Sequence, residues 1–132
     1  MTKSLSPTPP SPPELALAGF RFALAGGAWL TPRLAGRLFG LEPEANPVSP
    51  YLGRLFGARA AWLGAELMLA ESPEQRRALV RRHMLIDGAD LAATFLGHRG
   101  GYLTRRSAIM TGAGALTALT LAAWAISGEQ IE

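Results

Sequence analysis

The chain has 132 residues, room for one domain, with 48% hydrophobic and only 17% charged residues. Its lack of cysteine excludes disulfides, thiolate metal sites and cysteine nucleophiles. A net charge of +3 and a pI near 10.2 would suit nucleic acid. The arginines, however, flank apolar runs instead of interleaving with aromatic residues, so anionic lipid headgroups are the expected partner and nucleic acid is not.

Residues 1–13 (MTKSLSPTPPSPP) have no apolar segment, which predicts a disordered Pro/Ser-rich tail. They also lack the pattern of a cleavable signal peptide, so the first apolar run, 15–30, is expected as a retained span. Arg21 interrupts that run, and Pro13 and Glu14 suit a helix start. Residues 32–40 set Leu34, Leu38 and Phe39 against Arg33 and Arg37, the pattern of a short amphipathic helix in the headgroup region. A proline-broken loop, 42–50, leads to a second span over 51–70 carrying Arg54, Arg59 and Glu66.

Ser72-Pro73-Glu74 reads as a cap opening a third helix to about Leu96, whose first turns hold Arg76, Arg77, Arg81 and Arg82. These four arginines are expected to snorkel to the surface. Residues 97–101 (GHRGG) break the helix, and the fourth run, 108–126, contains no charge. A soluble four-helix bundle would show a charged stripe on each helix; this run has none. The expected fold is therefore all-α, a four-transmembrane-helix bundle over 14–127 with a short interfacial helix between spans 1 and 2. A short acidic tail, 128–132, follows. Arginines balance across the two sides, so the positive-inside rule sets no orientation.

Gly-Arg-Leu-Phe-Gly occurs at 36–40 and again at 53–57. In the second copy Gly53, Gly57 and Ala61 share a face that Gly64 extends, a small-residue seam for packing inside one bundle or for a homodimer.

Arg21, Arg59, Glu66, Asp87 and Asp90 fall inside the expected spans. Facing lipid, each would cost several kcal/mol, so they must face the bundle interior or each other. His83, Asp87, Asp90 and Thr94 share one helix face, as do Arg59, Trp62 and Glu66. Counting depth at about 1.5 Å per residue in antiparallel spans pairs Arg59 with Asp90, and Arg21 with Asp87 or Glu66. One carboxylate is left in excess, the property a general acid or a proton-coupled site needs. Asp87, Asp90 and Glu66 are thus the candidate acid-base groups, with Arg21, Arg59, Trp62 and His83 as candidate ligand-binding residues. The bland alternative is ion pairs that only fix helix register. His83 and His98 have no clustered partners, so no metal or other cofactor is expected.

The segments WLTPRLAGRLFGLEPEANPVSPYLGRLFGARAAWLGAEL, LIDGADLAATFLGHRGG and RRSAIMTGAGALTALTLAAWA together resemble a bacterial family of small uncharacterised four-span membrane proteins, grouped under a domain of unknown function. The resemblance covers nearly everything after Glu14. Gly57-Ala58-Arg59 and the pair Asp87 and Asp90 stand at the family's motif positions, and Ala60 replaces the acid that usually follows the arginine. The resemblance implies a four-span fold in the cytoplasmic membrane and supplies no activity. Three functions remain open: acid-base chemistry on, or binding of, a small lipophilic molecule; an accessory subunit of a membrane complex; and a dimeric proton-coupled exporter.

Overall fold

The computed structural model describes residues 6–128. Five helices, α1 (Pro12–Leu30), α2 (Pro32–Leu38), α3 (Ser49–Leu69), α4 (Pro73–Arg99) and α5 (Arg105–Ser127), make the fold all-α, with no strand among the described residues. Prolines occupy the first turns of α1 to α4, where a missing N–H costs nothing and a fixed φ favours the helix. The Ser72 hydroxyl accepts from Gln75 N–H at 3.1 Å and the Thr104 hydroxyl from Ser107 N–H at 3.1 Å, capping α4 and α5. The two glycine pentapeptides adopt different structures. Gly40 ends α2 at φ +71, a left-handed conformation that glycine takes without strain, whereas Gly53 and Gly57 lie inside α3.

The long helices run alternately up and down. α1 packs on α3 and α4 on α5, the two pairs join through α1 and α5, and α3 barely touches α4. Gly57 makes the α1–α3 approach close: a Cβ there would stand 2.8 Å from Trp29 Cδ1 and 2.9 Å from Ala28 Cβ. Gly64 packs on Phe22 in the same way. Gly57 and Gly64 on the small-residue face of α3 therefore serve packing within the chain, whereas Gly53 meets nothing within 4 Å and Ala61 lines an outward groove.

Two expectations need correction. Among the described residues α5 alone, Arg105–Ser127, is long and apolar enough by length and composition to cross a membrane. α1, α3 and α4 are long enough but carry interior charges that lower their average hydropathy, so a four-span bundle does not follow from composition. The tail boundary also moves. α1 begins at Pro12, and the Pro9 carbonyl and Glu14 are both held by Arg76. The expected tail at 1–5 and most of the acidic tail lie outside the described residues.

Large apolar side chains lie on the surface, and several charged ones lie inside. The buried apolar core is mainly alanine, while Leu15, Phe22, Trp29, Trp62, Leu85, Phe95, Leu116 and Trp124 are exposed. Glu14, Arg21, Arg76, His83 and Asp87 are buried.

Candidate functional site

Among the described residues, three carboxylate–guanidinium pairs join the long helices. Arg21 of α1 meets Asp87 of α4 in a two-pronged contact, NH1 to Oδ1 at 3.2 Å and NH2 to Oδ2 at 2.7 Å, with both side chains 5% exposed. Arg59 of α3 holds Asp90 of α4 in the same way, at 3.1 and 2.5 Å, but these side chains are 43% and 32% exposed. Asp87 and Asp90 lie one helical turn apart, so α4 presents both acids on one face and receives one arginine from α1 and one from α3. These are the pairings that the depth count predicts.

The third pair is absent from the sequence reading. Arg76, expected to snorkel, is 1% exposed. Its Nε donates to Glu14 at 3.0 Å, NH1 to the Ala70 carbonyl at 3.1 Å and NH2 to the Pro9 carbonyl at 3.2 Å. One guanidinium thus ties the start of α1 to the α3–α4 turn and to the chain before α1. Its neighbours Arg81 and Arg82 are exposed, as expected.

Glu66 is the carboxylate left without a guanidinium. Its Oε1 accepts from Trp62 Nε1–H at 2.9 Å, and its Oε2 lies 3.0 Å from Nε2 of the fully buried His83. His83 Nδ1 has no hydrogen-bond partner.

A cavity of about 820 Å³ is walled by residues of all five helices and by the loops at 40–46 and 102–104, with Arg59 of α3 and Asp90 of α4 on its wall. Its wall is mostly apolar, with Phe20, Leu24, Leu52, Phe56 and Leu63 prominent, and Arg21, Arg59, Asp87 and Asp90 supply the charges. Thr94 and Thr111 add hydroxyls, each donating to its own helix backbone, at 2.9 Å to Asp90 O and 2.8 Å to Ser107 O. The structure thus gathers four of the seven candidate site residues at one cavity and separates three. Glu66 and His83 are not on its wall, and Trp62, expected to wall the pocket, is 63% exposed on the outer side. There it lines a shallow groove with Phe22, Ala25, Gly26, Trp29, Ala58, Ala61 and Ala65. Trp62 keeps to the helix stripe of Arg59 and Glu66, donating its indole N–H to Glu66, but its ring turns to the side where α1 presents Trp29.

Outside the long helices, Arg37 of α2 binds Glu44 of the following loop, both exposed. Hydrogen bonding from Arg37 holds the Glu44 carboxyl below its ordinary value. Among the described residues no group of three histidine, aspartate or glutamate side chains is placed to hold a metal ion.

No family model, no curated protein and no solved structure matches the chain.

Proposed function

We propose that the chain is a four-span integral protein of the bacterial cytoplasmic membrane, like the family it resembles, and that it binds a small lipophilic molecule in the cavity beside Arg59 and Asp90. The observation that carries this reading is the combination of charge pairs buried inside with many leucine, phenylalanine and tryptophan side chains exposed on the outside. In water so much exposed apolar surface would drive association, whereas hydrocarbon favours it and forces charges inward to their partners. The hydropathy of α1, α3 and α4 is low because a residue-by-residue scale counts each charge alone. Here Arg21, Arg59 and Arg76 each meet a carboxylate within the bundle. Leu34 and Leu38 of α2, exposed beside Arg33 and Arg37, support an interfacial helix at the cavity mouth.

Binding is better supported than acid-base chemistry. Both oxygens of Asp87 and of Asp90 already accept from guanidinium groups, and Glu66 stands off the cavity. The volume lies within the roughly 300–1,000 Å³ of small-molecule sites. A second reading, an accessory subunit, draws on the outward groove flanked by Trp29 and Trp62.

The test is mass spectrometry of small molecules retained in mild detergent by the native chain and by Gly114→Phe. Gly114 lies on the cavity wall, and a Cβ added there meets nothing within 4 Å, so the phenyl ring occupies the cavity without displacing the backbone. A lipophilic species held by the native chain and absent from the variant is the expected result. Equal retention by both, or none by either, contradicts the reading, and a co-purifying protein partner in its place favours the accessory subunit.

A further inference from the structure

The two cavity arginines grip their aspartates identically, one terminal nitrogen to each carboxylate oxygen. A guanidinium has a second edge, formed by Nε–H and one terminal N–H, and in both arginines that edge is unused. Arg21 Nε is buried without a partner, and no described residue accepts from Arg59 Nε. Access separates the two: the Arg21 side chain is 5% exposed, that of Arg59 43%. Phe56 lies beneath the Arg59 guanidinium, 5.3 Å from ring centroid to Cζ. With Asp90 on its end and Phe56 on its face, the guanidinium is held while its side edge stays open. The Thr94 and Thr111 hydroxyls already donate to backbone carbonyls; on the same wall the Ser49 and Ser107 hydroxyls and Arg21 Nε are unpartnered but buried, so the Arg59 edge is the accessible charged donor.

Charge balance decides what that edge takes. Arg21 with Asp87 and Arg59 with Asp90 are each neutral as pairs. An arriving carboxylate or phosphate would leave one negative charge uncompensated among apolar walls and an ammonium one positive charge, and either is costly at low dielectric. A neutral acceptor satisfies the N–H group and leaves the balance intact. We infer that the ligand is a neutral lipophile bearing a carbonyl-type oxygen, which accepts from the Nε–H edge of Arg59 while its hydrocarbon lies along Leu52, Phe56 and Leu63. Asp90 is a positioning residue that fixes the guanidinium. This inference rests on the cavity-binding reading above.

The full chain in mild detergent is offered three probes of similar length, octadecane, hexadecyl methyl ketone and octadecanoate, and bound fractions are read by native mass spectrometry. The ketone binds about tenfold tighter than the alkane, equivalent to about 1.4 kcal/mol, and octadecanoate no tighter than the alkane. Arg59→Met/Asp90→Leu removes both charges together, so neither is stranded, and the ketone preference collapses. Arg59→Lys keeps the charge and loses the second edge, and it also lowers the preference. Equal binding of ketone and alkane, tightest binding of octadecanoate, or a ketone preference that survives in both variants overturns the inference. Alkane binding without discrimination defeats only the choice of ligand class, whereas failure of every probe to bind defeats the cavity reading with it.

Discussion

Replacing Asp87 with leucine strands the Arg21 guanidinium at a site where 5% of its side chain is exposed. Breaking a buried pair from one side costs about 3–5 kcal/mol, mainly because the remaining charge is uncompensated, while replacing both partners with apolar residues of similar volume is close to neutral. Asp87→Leu and Arg21→Met should therefore each lower Tm by roughly 10 °C or more, and the double variant should recover most of that loss. The same cycle at Arg59 and Asp90, whose side chains are 43% and 32% exposed, should give a smaller coupling than the enclosed pair, since less of each group is desolvated by the protein. Thermal unfolding followed by far-UV circular dichroism in mild detergent measures all six variants. A double variant as unstable as the sum of its Asp87 and Arg21 singles, or singles that leave Tm unchanged, would refute the claim that this pair is buried and mutually compensating.

At Gly57, valine meets Trp29 and Ala28 inside van der Waals distance and should cost about 1–3 kcal/mol by overpacking. Alanine at Gly114, in open space within α5, should stabilise by about 0.5–1 kcal/mol through helix propensity; similar effects at the two sites would contradict the packing described. Arg76→Met frees the Pro9 carbonyl and Glu14 together, so limited proteolysis should cut before α1 faster than in the native chain, and unchanged rates would deny Arg76 its clamping role. The Glu44 carboxyl, hydrogen-bonded by Arg37, is depressed below its ordinary 4.5, so its contribution is full above that pH and is lost as pH falls through the lower folded value. An NMR titration of Glu44 should have its midpoint below 4.5, moving up in Arg37→Gln; a midpoint insensitive to that substitution speaks against the pair.

Much of the charged interior was legible because two rules acted together. Helix periodicity put Asp87 and Asp90 on one face, and alternating helix direction put Arg21 and Arg59 at matching depths, so the pairs followed. Arg76 and Glu14 escaped because each sits in a first helical turn, where arginine commonly snorkels and glutamate commonly answers the helix dipole. Only the fold brings the two turns together, and the extended chain at Pro9 adds an acceptor that no periodicity could reveal. Glu66 and His83 share a depth but not the cavity, because the cavity wall depends on how each helix is rotated. The Trp62 ring turns to the side of Trp29. By composition α5 is the one candidate span among the described residues, because α1, α3 and α4 carry charges, of which Arg21, Arg59 and Arg76 meet carboxylates in the fold.

Because the chain has no native cysteine, single cysteines at Ala45, Glu71, Tyr102 and Ser127 can be probed with a membrane-impermeant maleimide on cells and on inverted vesicles. Four spans place Glu71 and Ser127 on one side and Ala45 and Tyr102 on the other. Glu71 grouping with Ala45 and Tyr102 while Ser127 labels from the opposite side, or all four labelling on a chain recovered in the aqueous fraction, would contradict a bundle that carries its paired charges through the bilayer.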